Sequence, residues 1–173
     1  MTSQAYLNNY FANKWGHLGV TNSGTTGIQL AEKIKDDEWV LDVGCGRNLF
    51  KGVIKNLLGI DPAFDEADVK KTIEDFQTTQ MFDVALCLGS INFGTITDIR
   101  RQLDCVVKYL RPRSRIYWRC NPGLQDHGNE ECKEIMFFPW SNDWHVLLSK
   151  EYGFEIAELG QDRHRIYAEW VRR

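Results

Sequence analysis

The sequence predicts an α/β protein with a single doubly wound, mostly parallel seven-stranded sheet, helices on both faces and a C-terminal antiparallel hairpin. Three observations predict it. Short apolar runs closed by Gly, Asp or Pro alternate with stretches of helical spacing from Trp39 to Cys120. The run Phe82 to Leu88 is almost wholly apolar, as a central strand covered on both faces must be. The chain then closes on two strand-like segments around a polar turn.

Taken in order, Tyr6 to Trp15 mixes aromatic residues with Asn and predicts a short amphipathic helix or arm, followed by a loop rich in Gly, Asn and Thr from Gly16 to Gly24. Thr25 is placed to cap a helix running through Lys35, with Ile28, Leu30, Ala31 and Ile34 on its apolar face. Trp39 to Val43 is the first strand. Helical spacing returns from Leu49 to Leu58, and Leu57 to Ile60 forms a second strand ending at Asp61-Pro62. Asp68 to Lys71 is a weaker third strand and Phe82 to Leu88 the fourth. Thr95 to Leu110 has Ile96, Ile99, Leu103, Val106, Val107 and Leu110 at helical spacing, with Arg111-Pro112 as the stop. Arg115 to Cys120 is the fifth strand, Trp144 to Tyr152 a last helix, and Phe154 to Leu159 with His164 to Val171 the closing hairpin. With no repeat, linker or charge block, residues 1–173 are read as one domain, an N-terminal arm and first helix over 1–38 and a sheet core over 39–173.

Composition narrows the function. Of 173 residues, 43% are hydrophobic and 26% charged, which excludes a disordered or fibrous chain. With 21 basic against 24 acidic residues the net charge is -3, against a general polyanion binder. Five cysteines is an odd number, and Met1 to Lys14 lacks an apolar signal core, so reduced thiols and a cytoplasmic location are expected. No run is long enough to span a membrane.

The chemistry concentrates where strands end. Asp42, Gly44, Cys45 and Gly46 close the first strand in VLDVGCG, and glycines at 44 and 46 let backbone turn tightly and approach a ligand closely. A dinucleotide fingerprint needs a third Gly where Leu49 stands, and a phosphate-cradling Gly-Lys-Ser/Thr is absent. Asp61 ends the next strand about twenty residues after Asp42, where a carboxylate can accept from both hydroxyls of a ribose. A nucleoside without a pyrophosphate fits best. In doubly wound sheets such breaks converge beyond the carboxyl ends of the strands, where the strand order reverses.

On these residues the chain resembles the class I S-adenosylmethionine-dependent methyltransferases, transferases with a Rossmann-like fold. VLDVGCG is similar to the family's first motif, LLGIDP to its ribose-acid motif, FDVALCLGSINF to its fourth motif, and LRPRSRIYW to its helix-to-fifth-strand passage. GFEIAELGQDRHRIYAEW is similar to its closing hairpin. The resemblance runs from about Trp39 to the C-terminus and implies S-adenosylmethionine as cofactor and S-adenosylhomocysteine as product. It implies that Asp42 with the backbone of Gly44 to Gly46 holds the methionine part and that Asp61, with Pro62, meets the ribose. Leu88 and Gly89 would face the amino group or sulfonium, and Thr72, Ile73 and Glu74 would border the adenine. Asn48 stands where the family has a small residue, and Asn tolerates the left-handed backbone that such a turn needs.

The implied activity is methyl transfer to a small molecule or a side chain. The alternative is an accessory module that binds the same cofactor without transferring the methyl group. LGSINF lacks both the Asn/Asp-Pro-Pro-aromatic tetrad of amino-methylating nucleic-acid enzymes and a Pro-Cys pair, which argues against nucleic-acid acceptors. No catalytic residue is assigned, since alignment alone can carry such a transfer; His17, His127, Asp143 and His145 are the candidate bases if the acceptor must lose a proton. Cys120, His127, Cys132 and His145 match no compact zinc spacing. Phe137, Phe138, Trp140 and Trp144 either line an acceptor pocket or pack as core. Residues 1–24 and 121–145 are the segments expected to shape the acceptor side, the first of them as a lid or as a plain cover of the sheet.

Overall fold

The computed structural model describes residues 2–15, 26–123 and 130–173. Helix α1 (Gln4–Asn9) runs into a π-helical turn over Tyr10–Lys14. After a 3-10 segment at Ile28–Lys33 come strands β1 (Trp39–Val43), β2 (Asn56–Ile60) and β3 (Phe82–Leu88), then α2 (Ile96–Lys108) and β4 (Leu110–Cys120). A second 3-10 turn at Glu130–Glu134, α3 (Asn142–Glu151), β5 (Glu155–Asp162) and β6 (Arg165–Val171) complete the chain.

Among the described residues, six strands form one mixed sheet in the order β2-β1-β3-β4-β6-β5. β1 pairs in parallel with both β2 and β3, β3 pairs in parallel with β4, and β6 lies antiparallel between β4 and β5. The strand order therefore reverses between β1 and β3, which opens a crevice at their carboxyl ends.

Side-chain alternation divides the core. Leu41, Ala85, Cys87, Ile116, Trp118, Ala168 and Trp170 face one way and meet Ile99, Leu103 and Val106 of α2 and Leu148 of α3. Val40, Val84, Leu86, Tyr117 and Tyr167 face the other way and meet Leu30, Phe50 and Ile54. A third cluster joins Leu7 and Tyr10 of the N-terminal arm to Cys132 and Ile135.

The sequence reading is corrected at three places. Among the described residues the sheet has six strands where seven were expected: the third predicted strand is reduced to one parallel bridge between Ile60 and Val69. Its backbone bonds run from the amides of Asp68 and Val69 to the Gly59 carbonyl and from the Asp61 amide to the Val69 carbonyl. The predicted helix at Leu49 to Leu58 is a run of turns, because only residues 44–55 separate β1 from β2 and Gly52 turns the chain at φ 83°. Phe50 and Ile54 still bury their side chains, so the apolar spacing is real without the helix. The helix predicted to run through Lys35 is the short 3-10 segment, and its proposed cap Thr25 lies outside the described residues. The second face thus carries a 3-10 segment and turns where the doubly wound arrangement expected α-helices. Elsewhere β4 begins at Leu110, directly after α2, and absorbs Pro112 at its edge with Arg113 at φ 64° and a register shift against β3.

Candidate functional site

A crevice of about 530 Å³ opens at the carboxyl ends of β1, β2, β3 and β4. This lies within the size range of small-molecule sites. All the predicted cofactor residues line it: Asp42, Gly44, Cys45 and Gly46 after β1, Asp61 and Pro62 after β2, Thr72 to Glu74, and Leu88 with Gly89 at the end of β3.

The glycine turn leaves no room for side chains. Gly44 has φ 69°, and a Cβ there would lie 2.3 Å from the Ser90 Cβ. The amides of Gly44 and Cys45 both donate to the Ile60 carbonyl, at 2.8 and 3.0 Å, which ties the turn to the end of β2. Asn48 holds φ 57°, the left-handed backbone expected of it.

Asp61 organises this turn. Its Oδ2 accepts from the Gly46 amide at 2.9 Å, and its Oδ1 accepts from the amides of Ala63 at 2.7 Å and Phe64 at 3.2 Å. Burial raises its pKa, and these three amides pull it back. Asp61 thus joins the two loops, a role that its residue type and position alone did not reveal.

Asp42 stands differently. It is 4% exposed, and no described residue donates a hydrogen bond to its carboxylate. Burial, then the neighbouring charges of Asp61 and Asp68, push its pKa up to about 7. The Oγ of Ser90, which packs against Gly44, is likewise buried with no partner among the described residues. A buried acid and hydroxyl left without partners at a crevice wall are groups that a bound cation or donor satisfies. Burial and the same acids also push the Cys45 thiol up, so it stays protonated and does not compete as a charge.

At the part of the wall formed by Thr72 to Glu74, Ile73 is buried. Thr72 Oγ1 donates to Asp75 at 3.0 Å and Glu74 pairs with Arg101, so neither side chain is idle. The described part of the N-terminal arm closes the other end. Tyr6 donates to the Glu131 carbonyl at 2.7 Å, and Phe11, Phe93 and Phe137 form a chain of rings 5.5 and 5.6 Å apart.

The candidate bases do not meet here. His17 and His127 lie outside the described residues, and Asp143 is exposed in the first turn of α3. His145 is fully buried, stacked 4.7 Å from Trp140 and edge-on to Trp118 and Trp170, and burial lowers its pKa to about 3. The predicted aromatic cluster splits: Phe137 lines the crevice, while Phe138 and Trp140 are core. Of the zinc-type residues, Cys120 belongs to the main core and Cys132 to the third cluster, and no group of metal-ligating side chains forms among the described residues. Ser90, Asn92, Asn121, Arg119 and Arg165 line the crevice without having been singled out. Ser90 and Asn92 follow the predicted strand Phe82 to Leu88 within LGSINF, but the others come from distant strand ends that only the folded sheet brings together.

No sequence model of a protein family matches the chain, and no curated protein matches it in sequence. The fold is that of the class I S-adenosylmethionine-dependent methyltransferases. The chain is similar to the magnesium protoporphyrin IX methyltransferase ChlM of Synechocystis with bound S-adenosylhomocysteine, at 12% identity and a TM-score of 0.71, covering 99% of this chain and 100% of that one. It is similar to the N-methyltransferase NodS of Bradyrhizobium japonicum, also with S-adenosylhomocysteine, at 17% identity and a TM-score of 0.63, covering 84% and 83%. A third similar structure is the 1,6-didemethyltoxoflavin-N1-methyltransferase of Burkholderia thailandensis with 1,6-didemethyltoxoflavin and S-adenosylhomocysteine bound, at 15% identity and a TM-score of 0.65, covering 99% of this chain and 80% of that one. Among the described residues, no helix is long and apolar enough to cross a membrane.

Proposed function

We propose that the protein is an S-adenosylmethionine-dependent methyltransferase acting on a small-molecule acceptor. The observation that carries this is Asp42, a buried carboxylate that accepts no hydrogen bond from any described residue, beside a glycine turn at the point where the strand order reverses. A cation such as the protonated amino group of the methionine part satisfies it, and the bare backbone of Gly44 to Gly46 lets that part lie against the turn. Asp61 and Pro62 face the ribose, with Asp61 keeping lone pairs for hydroxyls beyond the amides it already holds. Thr72, Ile73 and Glu74 border the adenine, and the backbone of Leu88 and Gly89 faces the amino group or the sulfonium. The similar structures carrying S-adenosylhomocysteine support the same cofactor.

Bound there, S-adenosylmethionine supplies a methyl carbon already activated by its sulfonium, which the acceptor's lone pair takes as the carbon–sulfur bond breaks and S-adenosylhomocysteine leaves. This chain's residues bind, align and exclude water around that carbon, and alignment alone is worth several kcal/mol of barrier. Phe11, Phe93 and Phe137 supply the apolar wall on the acceptor side. Equilibrium dialysis with methyl-labelled S-adenosylmethionine tests the reading. One saturable site per chain, emptied by S-adenosylhomocysteine and untouched by NAD, is expected. Absence of saturable binding, or displacement by NAD, overturns it.

A further inference from the structure

Two polar side chains follow β3, and they take different places in the crevice. Ser90 packs on the glycine turn, its Cβ 2.3 Å from where a Cβ on Gly44 would lie. Asn92 stands by Gly89, the residue after β3: a Cβ built on Gly89 would lie 3.9 Å from the Asn92 Nδ2. Gly89 and Asn92 both line the crevice, and the backbone of Gly89 is the part assigned above to the amino group or the sulfonium. The next residue, Phe93, holds the middle of the ring chain, 5.5 Å from Phe11 and 5.6 Å from Phe137. Asn92 is thus the polar side chain between the assigned methyl-donating end and the aromatic wall.

Its orientation is fixed. The Asn121 amide donates to the Asn92 Oδ1 at 3.1 Å, and a backbone N–H can only donate, so the NH2 end is the one turned toward Gly89. Turning the side chain over would break that bond. The backbone beneath is held as well. The Asn92 carbonyl accepts from the Phe138 amide at 2.7 Å, the Ile91 carbonyl accepts from Trp140 Nε1 at 2.8 Å, and the Gly94 amide donates to the Met136 carbonyl at 2.8 Å. Asn92 is 2% exposed, yet its Nδ2 donates to no acceptor among the described residues. A donor so buried costs free energy until a ligand accepts from it. Arg165 Nη1 lies 3.5 Å from the same Gly89 position, and a guanidinium has no lone pair to give, so it leaves unchanged the polarity that Asn92 sets.

We propose that Asn92 orients the methyl acceptor, its Nδ2 donating to a carbonyl oxygen or ring nitrogen of a small molecule whose apolar body lies against Phe93. The proposal rests on the methyltransferase reading and adds to it a residue and the polarity of the acceptor. A rigid donor beside the reacting carbon fixes the angle at which the acceptor's nucleophile meets it. Molecules that bring only N–H or O–H donors leave the Asn92 donor unpaired, and a site built to hydrogen-bond one group rejects analogues that lack it.

Three probes of similar size test this on the full chain saturated with S-adenosylhomocysteine at pH 8, followed by chemical-shift titration. Acetophenone has a carbonyl that only accepts, aniline an amino group that chiefly donates, and α-methylstyrene neither. Acetophenone is expected to bind about fivefold more tightly than the other two, the net worth of one neutral hydrogen bond. Asn92→Asp keeps an oxygen for the Asn121 amide and turns the free end from donor to acceptor. In N92D the order should reverse, aniline leading acetophenone by about fivefold, with nucleoside affinity not weakened. If N92D does not fold, N92S, whose shorter side chain loses the reach, should bring acetophenone within about twofold of α-methylstyrene. Equal binding of the three probes by the parent, no binding of acetophenone, or an acetophenone preference that survives in a variant still binding the nucleoside overturns the proposal. Weakened nucleoside binding by a folded variant also overturns it, by moving Asn92 to the cofactor. Failure of the cofactor reading shows separately, as no S-adenosylhomocysteine binding by the parent; titrations without nucleoside then still report on Asn92.

Discussion

Replacing Asp42 by Asn removes a charge that the fold holds at a cost. The carboxylate titrates near pH 7 in the folded protein against an ordinary value of 3.8, because it is buried beside Asp61 and Asp68. A folded-state pKa raised above the unfolded value means that the favourable contribution is complete below pH 3.8 and is lost as pH rises to about 7. At 1.36 kcal/mol per unit the loss is about 4 kcal/mol. D42N escapes it, so at pH 8 the free variant is expected to be more stable than the parent by up to about 4 kcal/mol, a melting rise on the order of 10 °C for a domain of this length. Binding runs the other way. Near pH 8 about ten in eleven molecules carry the charged Asp42 that a cationic amino group meets, and near pH 6 about one in eleven. Calorimetric titration with S-adenosylhomocysteine should show the affinity falling about tenfold from pH 8 to pH 6, and D42N should bind weakly with no such dependence. A parent affinity flat between pH 6 and pH 8, or a D42N protein that binds as tightly as the parent at pH 8, would refute the assignment of this acid.

Four further outcomes are expected. Gly44→Ala places a methyl group 2.3 Å from the Ser90 Cβ at φ 69°. It should lose about 2 to 5 kcal/mol from left-handed strain and overpacking, seen as a lower denaturant midpoint. Gly52→Ala, at φ 83° with nothing within 4 Å of the new carbon, should lose only about 1 to 2 kcal/mol from strain. Asp61→Ala strips three amides of their acceptor and should weaken S-adenosylhomocysteine binding by about 2 to 4 kcal/mol together with a lower melting temperature. Unchanged affinity in the folded variant would remove Asp61 from the site. His145 is buried neutral with its pKa lowered to about 3, so its contribution is complete above the unfolded value of about 6.5 and is lost as pH falls below it. Between pH 7.5 and pH 5 the parent should lose about 2 kcal/mol that His145→Phe does not, as followed by urea unfolding at each pH.

The end of the crevice around Asp42 and Asp61 was legible because its signals are local. Two glycines and two acids at strand ends, about twenty residues apart, suffice to place Asp42, Gly44, Gly46 and Asp61 on one edge of a parallel sheet. The opposite end was not legible, because Arg165, Arg119 and Asn92 come from three different strand ends and meet only after β6 inserts antiparallel beside β4. Residues 49 to 58 show why spacing alone misled: Phe50 and Ile54 bury as an i,i+4 pair would, yet a twelve-residue connection containing a left-handed Gly52 has no length for a helix after the glycine turn. His145 misled in another way. Its residue type suggested a base, but the tryptophans around it come from β4, β6 and the segment before α3, a neighbourhood that only the folded sheet creates.

Thermal unfolding of the full chain with S-adenosylmethionine, S-adenosylhomocysteine and NAD in parallel tests the central claim most directly. Ligand at about 100 times its dissociation constant adds roughly 2.7 kcal/mol, a rise of roughly 5 to 10 °C. The account predicts that rise with the two sulfur nucleosides and none with NAD; a flat response to both nucleosides, or a rise with NAD alone, would contradict it.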